Sequence, residues 1–185
     1  MKYLRRMMSF LAKRLVLLVI CCALLVCAFY MALNTANIYI LLSEGMEKRV
    51  SVTLTREDAV ALNNYFTYEF LDADPVLESA FDASSPYSSY TITDFKYKFG
   101  LEWLWAWPWS NSVTCTVTEQ VPSITGTVKT QYRSTAPSKT PPAWQGGRYQ
   151  VTLVRTDGAW KIAGLKQTGI ITSEIASPTP APAAR

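Results

Sequence analysis

The chain has 185 residues, 49% of them hydrophobic and 17% charged, which is enough for one buried core and too little for two ordinary domains. Its net charge of +4 sits at one end: Lys2, Arg5, Arg6, Lys13 and Arg14 all precede the first acidic residue, Glu44, and beyond Asn34 13 Lys and Arg face 14 Asp and Glu. The folded part is thus close to neutral, so the basic balance is not a phosphate-binding surface and no nucleic-acid partner is expected. The absence of histidine removes the commonest general base and every His-assisted triad, and with no Cys-pair spacing either, no zinc site is expected.

In chain order, residues 1–14 form a basic tail, and Leu15 to Leu33 follow as 19 residues without a charge, long enough to cross a hydrocarbon core of roughly 30 Å. Positive charge before the run and Glu44 after it predict the N-terminus in the cytoplasm and the rest of the chain outside the cell membrane. A cleaved signal peptide is the competing reading, but the run exceeds the usual apolar length and no small-residue site follows it. Val26 before Cys27 also argues against a lipoprotein site. Cys21, Cys22 and Cys27 lie within the span and act as small apolar groups, leaving Cys115 alone in the outer part with no disulfide partner.

Residues 34–49 are expected to continue the helix as a stalk or to lie in the membrane interface. The Thr55-Arg56-Glu57-Asp58 run reads as a capping-box start to a helix through AVALNNYFTYEFL, ended by Asp74-Pro75 and followed by a short helix over 76–81. From Thr91 to Trp109 every odd position from Phe95 is aromatic or Leu, predicting one long strand bent at Gly100. Further strands are expected over 113–119, 124–133, 148–155 and 160–166, with Asp157-Gly158 as the hairpin turn between the last two. Residues 134–147 read as a polar loop, and 173–185 as a disordered Pro/Ala-rich tail.

The class that results is α+β, with helices packed on a curved antiparallel sheet over residues 50–172. The closing hairpin RYQVTLVRTDGAWKIAGLKQ (148–167) resembles the end of an NTF2-like domain, and the helices and long strands before it are compatible with that cone. The order of parts, a short tail, one span and an outer domain, is similar to that of VirB8-like proteins of conjugation and secretion channels. NTF2-like domains serve as enzymes, ligand pockets and associative modules; without histidine, and with the VirB8-like order of parts, the reading here is a non-enzymatic assembly or binding module whose partners are further copies of itself or other envelope proteins. The His/Asp pair that NTF2-like enzymes use has no counterpart here.

Candidate interface or pocket residues are Trp103, Trp105, Trp107, Trp109, Tyr97 and Trp144. Three readings of the tryptophan face stand: core filling beneath the helices, a groove or oligomer interface, and contact with lipid headgroups. The expected split places Trp103 and Trp105 inside, with Trp107 and Trp109 at the rim. The alternative function is a pocket in which the aromatic cone holds a small apolar molecule or lipid. No catalytic, metal or cofactor residues are assigned: Cys115 has no base beside it, and Asp72, Asp74 and Glu78 lack the glycine-turned loop of an EF-hand. Charge is segregated, with eight acidic and no basic residues from Glu57 to Asp94, then nine basic against three acidic from Phe95 to Lys166. That pattern suits either two solvated faces or head-to-tail association.

Overall fold

The structure, a computed structural model, describes residues 2–82 and 84–171; the expected tail at 173–185 lies outside the described residues. It is α+β. One unbroken helix, α1 (Lys2–Thr55), is followed by a 3-10 turn (Ala59–Asn64), two short helices, α2 (Tyr68–Ala73) and α3 (Pro75–Phe81), and four strands: β1 (Tyr90–Leu101), β2 (Ser112–Val128), β3 (Gly146–Thr156) and β4 (Ala159–Ile171). The strands form an antiparallel meander in the order β1-β2-β3-β4.

From Leu15 to Leu33 α1 is almost wholly exposed and apolar, and it is the single helix among the described residues that is long and apolar enough to cross a membrane. Its second half departs from expectation. Residues 34–49 are no free stalk: Asn34, Ile38, Leu42 and Met46 recur every four residues on one face, and all four are buried against the sheet. Opposite them lie Val113, Cys115 and Val117 of β2, Val151 and Leu153 of β3, and Trp160 and Ile162 of β4. Gly45 lies within this face, where a Cβ would come within 2.9 Å of the Tyr65 side chain, so the glycine lets the 3-10 segment close on the helix.

Thr55 does not start a helix. Its hydroxyl bonds back to the Ser51 carbonyl at 2.8 Å, inside α1, and Arg56 then takes a left-handed φ of 60° that breaks the chain direction. The true cap is Asp58, whose carboxylate accepts from the Val60 N–H. Thr67 caps α2 and Asp74 caps α3, with Pro75 at the first helical position.

Two strand expectations also change. The 113–119 segment and the first part of 124–133 are one strand, β2, running through Pro122, while Thr130–Tyr132 form a 3-10 turn beyond its end. Proline is tolerated there because β3 pairs only as far as Glu119, and because β1 bulges between Lys96 and Lys98 opposite this point. Conversely, β1 stops at Leu101, and the Trp103–Trp109 run lies outside the sheet and ends in a turn at Pro108–Trp109, closed by the Ser110 N–H on the Trp107 carbonyl. The hairpin at Asp157-Gly158 forms as expected, with φ of 52° and 82° matching the turn that twisted strands favour. The outer sheet face is polar and threonine-rich (Thr114, Thr116, Thr118, Gln150, Thr152).

Candidate membrane-proximal interface

Two constellations stand out: an aromatic ladder beside the end of the apolar stretch of α1, and a charge cluster inside the domain. After Leu101 the chain leaves the sheet through one last bond, Glu102 N–H to the Thr116 carbonyl, and runs beside α1. Asn34, the first residue beyond the apolar run, holds it there. Its Nδ2 donates to the carbonyls of Ala106 and Trp107 at 3.5 and 3.4 Å, while its Oδ1 accepts from Trp160 Nε1 at 2.7 Å and Arg155 Nη2 at 3.1 Å. Arg155 also donates to the Pro108 carbonyl and lies over the Trp160 ring. One buried amide thereby joins α1, β3, β4 and the tryptophan arm.

The four indoles of the arm do not fill the core. Trp103 and Trp109 are 78% and 67% exposed, and Trp105 and Trp107 remain 46% and 40% exposed. This corrects the expectation that Trp103 and Trp105 point inside: the space beneath the sheet is already taken by Ile38, Leu42 and Met46 of α1. The rings instead contact one another in sequence, Trp103 stacked on Trp105, Trp105 edge-on to Trp107, and Trp107 stacked on Trp109, with centroids 5.0–6.0 Å apart. Between this arm and α1 runs an open apolar groove of about 740 Å³, floored by Ala28, Ala32, Ala36 and Tyr39 and walled by Trp103 and Trp105.

Tyr97 and Trp144, the other two candidates, are not part of the ladder. Both belong to the second constellation, around the buried Glu119. Arg49 of α1 makes a two-pronged bond to Asp74, with Nε–Oδ2 at 2.6 Å and Nη2–Oδ1 at 2.9 Å, and both side chains are almost fully enclosed. Burial alone would lower the Arg49 pKa, but the bonds and charge of Asp74 more than offset it and hold the guanidinium ionised. Trp144 Nε1 donates to Glu119 Oε1 at 2.9 Å. Glu119 Oε2 and the Tyr97 hydroxyl are buried with no bonding partner among the described residues. Asp74 is accordingly no part of a solvated acidic face.

Sequence reasoning passed over Asn34, Arg49 and Glu119. The signal for Glu119 was present: Val113, Cys115, Val117, Glu119 and Val121 share the inward parity of β2, which puts a carboxylate on an apolar face. Cys115 is buried, and burial pushes its thiol up to about 11, as befits core packing.

Burial raises the Glu119 carboxyl above the ordinary carboxylate range, with the Arg49 charge and the Trp144 N–H pulling it partly back. The folded domain then holds this proton more tightly than the unfolded chain. Its contribution to stability grows as pH falls through the raised folded value, and levels off below the unfolded value of about 4.3. Glu119→Gln keeps an oxygen acceptor for Trp144 and is expected to flatten that part of the profile. Unfolding midpoints measured across mildly acidic to neutral pH check this, and an unchanged slope in the variant would reject Glu119 as the titrating group.

No protein family, curated protein or solved structure matches the chain.

Proposed function

We propose that the chain is a single-pass membrane-anchored module whose outer domain works by assembling with other envelope proteins or with copies of itself, without chemistry of its own. The observation that carries this reading is the continuity of α1, which passes from the exposed apolar stretch into the domain core with no linker between them. A domain built around its own anchor is held at fixed height and orientation, as a scaffold position requires. The basic residues before Leu15 favour a cytoplasmic N-terminus and an extracytoplasmic domain.

Within this class, an NTF2-like domain of VirB8-like arrangement is the finer proposal. The order of anchor helix, short helices and a four-stranded antiparallel meander closed by an Asp-Gly hairpin supports it. The sheet ends in two outer strands, β1 and β4, and β4 carries the exposed Lys166 and Ile170 on the edge. Glu78 on α3 is likewise exposed. Association of the acidic helical layer with the basic sheet edge of a neighbour is the head-to-tail form of this assembly.

The test is photo-crosslinking in intact membranes, with the probe placed separately at Glu78 and Lys166. Discrete protein adducts that weaken with added salt are expected. Absence of any protein adduct at both positions would reject assembly through these faces. The second reading, a small apolar ligand or lipid, is favoured by the groove beside the ladder.

A further inference from the structure

The groove between α1 and the tryptophan arm lies at a defined height, because Asn34 fixes the arm directly after Leu33. At 1.5 Å per residue, Ala28 lies about 7 Å inside the end of the apolar stretch at Leu33, and Tyr39 about 9 Å beyond it. The headgroup layer of a bilayer is roughly 5–8 Å thick on each side. The groove thus runs from the edge of the hydrocarbon through the headgroup layer, and its lower floor, Ala28 and Ala32, is the direct continuation of the exposed apolar surface of the span. This argument rests on α1 spanning the membrane.

The indole N–H groups point to the same occupant. Buried Trp144 and Trp160 each donate to a protein side chain, whereas among the described residues Trp103, Trp105, Trp107 and Trp109 donate to none. Tryptophan with an apolar body to cover and a free N–H to satisfy prefers the layer where hydrocarbon meets ester and phosphate oxygens. A second α1 is the less suitable occupant. A helix about 10 Å across needs an open approach to the small-residue face at Ala28, Ala32 and Ala36, and the Trp103 and Trp105 rings flank that face.

We infer that this groove is a lipid site: it takes an acyl chain of the leaflet on the domain's side, while the four indoles of the ladder lie at headgroup level and donate to lipid oxygens. The ladder then seats the domain on the bilayer and fixes which of its faces look outward.

The test uses the full chain reconstituted in vesicles of phosphatidylethanolamine and phosphatidylglycerol, a fraction of them brominated near the carbonyl end of the acyl chain or near its terminal methyl. Four of the six tryptophans belong to the ladder, so bromine near the carbonyl end is expected to quench the larger part of the emission, and bromine at the chain end much less. Filling the groove with Ala32→Leu plus Ala36→Leu, both on exposed helix positions, is expected to reduce that quenching while the chain stays folded and vesicle-bound. Emission unquenched by either lipid, in a chain that still floats with the vesicles, would overturn the lipid site and leave the anchor standing. Quenching unchanged by the filled groove would overturn the groove as the site. Disulfide crosslinking of an Ala32→Cys chain, with the native span cysteines removed, to a second copy would assign the groove to a partner helix and also overturn the proposal. A chain that fails to float would remove the anchor itself.

Discussion

Replacing Arg49 with alanine is expected to destabilise the folded domain by about 3–5 kcal/mol, the usual cost of stranding a buried charge by removing its partner. The stranded group is Asp74, whose side chain is 3% exposed and whose two oxygens both bond Arg49. Asp74→Ala should cost at least as much, since Asp74 also caps α3 through the Val76 N–H at 3.0 Å. The pair itself need not be strongly stabilising, because taking both ions out of water consumes most of their attraction. A double change to Arg49→Met and Asp74→Asn, which keeps the cap and removes both charges, is therefore expected to be milder than Arg49→Ala. Urea unfolding in detergent, followed by near-ultraviolet circular dichroism, measures all three. A loss below about 1 kcal/mol for Arg49→Ala would show that water reaches this cluster in solution.

Asn34→Ala is expected to cost about 2–3 kcal/mol and to release the tryptophan arm from α1. The change leaves Trp160 Nε1, buried at the foot of the arm, without its acceptor, removes one of the Arg155 bonds, and frees the carbonyls of Ala106 and Trp107. Asn34→Asp retains the acceptor for Trp160 and Arg155 and should lose less. Unfolding midpoints give the cost, and a fall in tryptophan anisotropy at unchanged circular dichroism reports the loosened arm. Equal losses for the two variants would show that the donated bonds to the arm, rather than the accepted ones, carry the stability.

What the sequence made legible was the part governed by local rules. A charge-free run of 19 residues needs no tertiary information to be seen as part of a helix long and apolar enough to cross a membrane, and Asp157-Gly158 between alternating strands specifies its own turn. The misreadings have physical reasons. The alternation from Phe95 to Trp109 is continuous, but Leu101 is the last residue of β1 to pair with β2, and beyond it the pattern orders indoles against one another instead of sorting inside from outside. The gap expected between 113–119 and 124–133 holds Pro122, which occupies a stretch where β2 has already run past β3. Residues 34–49 read as a stalk or an interfacial helix because nothing local to them shows a packing partner. Their buried positions, every four residues, meet a sheet that is formed only by residues far along the chain. The buried cluster was hidden for the same reason, since Arg49 and Asp74 come together only after α3 packs on α1.

On the proposed anchoring, the unbroken α1 is a lever. From Asn34 to Thr55 the helix extends about 33 Å above the end of the apolar stretch, with the sheet packed along it. If the span tilts by about 20° to bury its length in a thinner bilayer, the far end of the domain swings sideways by roughly 11 Å. Rotation of the helix about its axis turns the sheet edges by the same angle. On the proposed anchoring, membrane thickness and lateral pressure would be converted, with no hinge to absorb them, into where the domain's edges face.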